Sequence, residues 1–132
     1  MGHSLVKVFV HLVWTAKNRE RMLVDNARKL VREHIIQKAQ ENGILVDSID
    51  VQPEHVHLVV RLAHDQQIDD VAKSVKGESS HWVNQNDIIR GKFSWQTGYT
   101  ALSVGAEGLG PLRTYIANQD EHHRRKSFTE EI

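Results

Sequence analysis

Two histidines stand two residues apart in Pro53-Glu54-His55-Val56-His57-Leu58-Val59-Val60, a stretch that reads as a turn followed by a strand. Side chains two apart on a strand point to the same face, so the imidazoles of His55 and His57 project side by side toward one point. Two convergent imidazoles can hold one divalent metal ion. Val56, Leu58 and Val60 face the other way and can anchor the strand in a core. The plainer alternative is a pair of surface histidines on a half-exposed strand. A second pattern, Tyr115-Ile116-Ala117-Asn118-Gln119, follows Pro111, a residue that suits the first turn of a helix. A helix from about Pro111 to His123 puts Tyr115 and Gln119 one turn apart on one face, with His122 following and with Leu112 and Ile116 available to dock it. A tyrosine with a metal-capable amide one turn below it is a candidate nucleophile and ligand. The alternative is an amphipathic helix whose tyrosine is half buried and whose glutamine is solvated.

Composition narrows the chemistry. The chain has no cysteine, which excludes disulfides and thiolate sites, so any metal is held by His, carboxylate, amide and water, a set that favours Mg²⁺ or Mn²⁺. At 132 residues it is long enough for one real core and too short for a second, so residues 1–132 read as a single domain. No apolar run reaches eighteen residues and no signal-type segment opens the chain, so no membrane is expected and a cytoplasmic location is the default. Seventeen basic and seventeen acidic side chains cancel, which argues against a general nucleic-acid binder. Their distribution is uneven: residues 1–40 carry eight Lys/Arg against three Asp/Glu, and residues 41–87 carry three against nine. One chain thus has a basic surface and an acidic one. Lys17, Arg19, Arg21, Arg28, Lys29 and Arg32 are candidate phosphate contacts, each equally explicable as a solvated charge. Arg124 and Arg125, in His122-His123-Arg124-Arg125-Lys126, bind phosphate or balance a helix end.

The elements that must position these residues follow from periodicity. Val6 to Thr15 reads as a central strand, apolar in part on both faces, and Lys17 to Arg21 as a charged connection. Asp25 can cap a helix carrying Ala27, Leu30, Val31, His34, Ile35 and Ala39 on one stripe, with Gly43 as its stop. Ile44 to Val51 is a second strand, and Gln52-Pro53-Glu54 turns it into the histidine strand as an antiparallel hairpin. A second helix, from Ile68 to Val83, is weakened by Gly77. Phe93 to Val104 reads as another strand, Gly105 to Gly110 as a flexible loop, and Pro111 onward as the last helix. This order predicts an α+β fold of the ferredoxin-like, RRM-like split βαβ kind, an antiparallel sheet with helices on one face plus the C-terminal tyrosine-bearing helix. The first and third strands then lie adjacent, so His11 is either a third ligand or a hydrogen-bonded core residue.

The His-hydrophobe-His strand, the Tyr-x-x-x-Gln helix and the phrases His11-Leu12-Val13-Trp14, Lys17-Asn18-Arg19, Trp95-Gln96-Thr97-Gly98-Tyr99 and Asn118-Gln119-Asp120-Glu121-His122-His123 together resemble the single-tyrosine HUH transposases of the smallest prokaryotic insertion sequences, over about Val6 to Phe128. The resemblance implies that His55, His57 and Gln119 bind a divalent ion, Mg²⁺ or Mn²⁺, and that Tyr115 attacks the scissile phosphate to give a 5′-phosphotyrosine. It implies single-stranded DNA with hairpin ends as substrate, a homodimer, and no nucleotide cofactor. It further implies that the tyrosine helix can serve the partner's histidines, for which Gly105, Gly108 and Gly110 would be a hinge rather than an ordinary loop. Three other readings compete: a non-catalytic nucleic-acid module on the same fold, a metal-dependent or two-histidine phosphodiesterase, and a structural dimer module. The first has no need of His55, His57, Tyr115 and Gln119 together, and the second wants a further His-x-Thr/Ser motif or more carboxylates.

Overall fold

The computed structural model describes residues 4–120. Its elements run β1 (Val8–Thr15), a 3₁₀ turn (Lys17–Arg19), α1 (Ala27–Glu41), β2 (Leu45–Val51), β3 (His55–Leu62), α2 (Ile68–Gln85), β4 (Thr100–Val104) and α3 (Ala106–Ala117). The four strands form one antiparallel sheet in the order β2-β3-β1-β4, so the first and third strands are neighbours as expected. Alternation splits the central strands between two layers. Val10, Leu12 and Trp14 of β1 and Val56, Leu58 and Val60 of β3 join Val31 and Ile35 of α1 and Val71, Ala72 and Val75 of α2 in the main core. The opposite face carries Val59, against which Leu109 and Ile116 of α3 pack. The helices therefore do not all share one face: α3 covers the side that α1 and α2 leave.

Local chemistry explains the helix ends. Gly43 closes α1 at φ +71, with its N–H donating to Gln40 and the Ile44 N–H donating to Ala39, a left-handed stop that glycine makes at no steric cost. Asp25 does not cap this helix; the cap position is Asn26, and Asp25 itself sits at φ +55. On α2, Gly77 is exposed, with nothing within 4 Å of where a Cβ would be. Gly77→Ala is therefore expected to stabilise the protein by about 0.5–1 kcal/mol, read as a higher denaturant midpoint at unchanged slope. A lower midpoint would mean that α2 needs the glycine.

Two segments depart from the sequence reading. The strand expected from Phe93 begins only at Thr100, because the preceding chain leaves β1 after one bridge, Ala16 to Trp95. Gly98 turns it at φ +91, while Lys76 Nζ donates to the Gln96 and Gly98 carbonyls and Asn84 bonds the Phe93 backbone. The glycine loop is also not a loop. Gly105 caps α3, and Gly108, Gly110 and Pro111 lie within it. The stripe Leu109, Leu112 and Ile116 docks on the sheet, and that burial overrides the poor helix propensity of two glycines and a proline. No helix among the described residues is long and apolar enough to cross a membrane.

Candidate active site

The antiparallel registers bring the chemistry-bearing residues together. Thr15 pairs with His55, Val13 with His57, and Asp50 with His57 from the other side. His55 and His57 share the α3 face, where they are almost fully buried at 0% and 1% exposure. Their Nε2 atoms lie 3.1 Å apart with the rings nearly perpendicular. The remote nitrogens are held from behind. His55 Nδ1 is 2.8 Å from Glu54 Oε1, and the same carboxylate accepts from Arg21 through Oε2. His57 Nδ1 is 2.9 Å from His11 Nε2, with the two rings stacked. His11 thus contacts the far side of His57, not the point to which the paired Nε2 atoms converge. Burial lowers its imidazole pKa.

Tyr115 and Gln119 arrive from α3. The Tyr115 ring stands edge-on to His57 with centroids 5.8 Å apart, and its hydroxyl is buried. The helix ends at Ala117, yet the expected one-turn relation holds, because Gln119 Nε2 donates to the Tyr115 carbonyl at 3.3 Å. That bond fixes the amide orientation and leaves Gln119 Oε1 buried with no hydrogen-bond partner among the described residues. Two clasps hold this end of the chain. Asp120 accepts from Gln52 Nε2 and Arg28 Nη2, and Arg113 makes a two-pronged pair with Asp47, the residue at the register shift in β2. The Arg113 hydrogen bonds hold the Asp47 carboxyl below its usual range, while burial raises that of Asp50.

The donor set fits a divalent ion. Two nitrogens bound at about 2.1 Å and at right angles round an octahedral ion lie about 3.0 Å apart, close to the observed separation. A buried acceptor with no partner, such as Gln119 Oε1, is the kind of group that coordination satisfies. Among the described residues, no group of three His, Cys, Asp or Glu side chains could hold a metal ion, and the Gln119 amide is the candidate third donor there. Tyr115 Oη, His55, His57 and Gln119 are all buried.

The candidate phosphate contacts divide by environment. Lys17 and Arg19 are exposed at the exit of β1, and Arg19 borders a cleft of about 900 Å³ lined also by Thr15, Asn18, Gln96 and Tyr99. Lys29 and Arg32 are exposed on α1. Arg21 and Arg28 are tied to Glu54 and to Asp120 and the Val51 carbonyl, which gives both a structural role. Arg124, Arg125 and His122 lie outside the described residues. Sequence reasoning missed Glu54 and the Gln52–Asp120 clasp; the only signal was the position of Gln52 and Glu54 in the turn before His55. Tyr99, the other tyrosine, packs against the main core on the opposite side of the sheet and donates its hydroxyl to Asp69.

The chain is similar to known proteins over most of its length. The family model described as "Transposase IS200 like" matches residues 4–119. The chain is similar to the ISDra2 transposase TnpA of Deinococcus radiodurans, at 28% identity over 116 residues that cover 84% of this chain and 83% of the relative. Among solved structures it is similar to a crystal structure from Deinococcus radiodurans R1 described as that of a transposase, with TM-score 0.68 at 27% identity, covering 90% of this chain and 96% of the other. The fold also matches that of a REP-associated tyrosine transposase bound to a REP hairpin, with TM-score 0.70 at 16% identity, covering 93% and 72%.

Proposed function

The chain belongs to the IS200-like transposases, and from that premise we propose that it cuts and rejoins single-stranded DNA through a covalent bond to Tyr115, at sites marked by hairpins. The observation that carries the reading is the pair of facing imidazole nitrogens, 3.1 Å apart, beside the Tyr115 ring on one face of the sheet. His55, His57 and Gln119 would hold Mg²⁺ or Mn²⁺. Bound there, the ion supplies positive charge that polarises the scissile phosphate and offsets the charge developing in transfer. Glu54 and His11 orient the two imidazoles, and the bond to the Tyr115 carbonyl orients the amide. The Tyr115 oxygen bonds to phosphorus and loses its proton; the bond from phosphorus to the 3′ oxygen breaks, and that oxygen leaves as a protonated 3′-hydroxyl. The resulting 5′-phosphotyrosine conserves the ester, so a second 3′-hydroxyl can reverse the step and join strands. Arg19 lines a cleft that includes Thr15, the register partner of His55, and would contact phosphate there, with Lys17 exposed two residues before it. Lys29, Arg32, Arg124 and Arg125 would contact phosphate elsewhere. Incubation with hairpin-bearing single-stranded DNA and Mn²⁺ tests the reading: a denaturation-resistant protein–DNA adduct is expected, and binding without any adduct would mean a non-catalytic module.

The functional unit in this proposal is a homodimer in which α3 can leave its own sheet for the partner's. The poor helix formers Gly108, Gly110 and Pro111 at the root of α3 support this, because they lower the cost of unravelling the first turns. A His57→Ala protein mixed with a Tyr115→Phe protein is expected to regain cleavage after subunit exchange, since each mixed dimer then holds one intact composite site. No recovery would place each working site within one chain.

A further inference from the structure

We propose that His11 is a positioning residue that decides which nitrogen of His57 is free to bind a cation. The inference rests on the reading of His55 and His57 as ligands. His11 is buried at 7% exposure on β1, and its Nε2 begins a continuous line of contacts: 2.9 Å to His57 Nδ1, 3.1 Å from His57 Nε2 to His55 Nε2, and 2.8 Å from His55 Nδ1 to Glu54. A neutral imidazole carries one proton, donating from one nitrogen and accepting at the other. The Glu54 carboxylate, paired with Arg21, accepts, so His55 carries its proton on Nδ1 and turns a lone pair toward His57. Without a cation between them, that lone pair needs a proton from His57 Nε2, and His57 Nδ1 must then accept from His11 Nε2. Binding a cation through His57 Nε2 requires the other tautomer. The His57 proton moves to Nδ1, where it needs an acceptor, and His11 Nε2 stands 2.9 Å away. His11 accordingly carries its own proton on Nδ1. Each imidazole keeps one proton throughout; His57 and His11 exchange tautomers together, and none is gained or lost.

Long-range proton–nitrogen NMR of the wild-type protein reads this directly. The His57 proton is expected on Nε2 in metal-free protein and on Nδ1 with saturating Mg²⁺. His11→Phe preserves a stacked ring but offers no acceptor, and should lower Mn²⁺ affinity by about 10–100-fold by calorimetry, the usual cost of removing a partner behind a ligand. His11→Gln supplies an amide acceptor and should bind within a few-fold of wild type. Thermal unfolding of each variant separates a folding defect from a binding one. An unchanged His57 tautomer on adding Mg²⁺, equal Mn²⁺ affinity for wild type and folded His11→Phe, or a folded His11→Gln as weak as His11→Phe would each overturn the role of His11 while leaving His55 and His57 as ligands. Absence of Mn²⁺ binding by the wild type would overturn the ligand reading itself, and this proposal with it.

Discussion

Tyr115→Phe is expected to abolish DNA cleavage and covalent adduct formation, by at least about a thousandfold, while changing single-stranded DNA affinity by no more than about twofold. Removing a nucleophile that no neighbouring group can replace has effects of this order or larger. The ring is retained, so the edge contact with His57 and the packing of α3 on Val59 persist, and the measurement isolates the hydroxyl. Cleavage assayed on a denaturing gel and binding by anisotropy separate the two readouts. An adduct formed by the variant would move the nucleophile elsewhere. Tyr99 is an unfavourable replacement, because its hydroxyl is held by Asp69 on the other side of the sheet.

How much of this was legible beforehand depended on the range of the interaction. The His55–His57 pair and the Tyr115–Gln119 pair were readable because strand and helix periods fix neighbours two and four residues away. The adjacency of β1 and β3 was readable because the split βαβ order of elements puts the first and third strands side by side, and β1 is apolar in part on both faces, as a central strand must be. The start of α3 was not: Gly105 to Gly110 looks like a loop until Val59 supplies a surface on which Leu109 docks, and tertiary burial then outweighs propensity. Of the partners of the histidines, Glu54 was hidden, whereas His11 was placed near them by the adjacency of β1 and β3. The contact itself is diagonal, since the register pairs His11 with Val59 and His57 with Val13, and registers come from the whole sheet.

His57→Ala is expected to eliminate activity with Mg²⁺ or Mn²⁺ and to weaken Mn²⁺ binding by more than about 100-fold, beyond the loss that follows removal of a group one shell out. His55→Ala should behave alike, since each variant removes one of few protein donors. Gln119→Ala should be milder, about tenfold, because a neutral amide is a weaker ligand and water can take its place. Calorimetric titration with folding checked in parallel measures all three. Equal metal affinity for wild type and His57→Ala would sink the ligand assignment, and a Gln119→Ala effect as large as that of His57→Ala would mean that the amide also holds the end of α3 in place.

The bond from Gln119 to the Tyr115 carbonyl ties two chemical roles to a single turn of chain. In the proposed reaction, an α3 that lifted to admit DNA or to cross to a partner would carry the attacking oxygen and the amide ligand as one body. The two histidines stay behind on β3, braced by Glu54 and His11. The proposed ion would then lose its amide ligand whenever the tyrosine departs. Arming would then be a coincidence condition: in the proposed reaction the strand would be open to breakage only while helix and sheet are engaged, which suits a step whose misfire would leave a nicked chromosome.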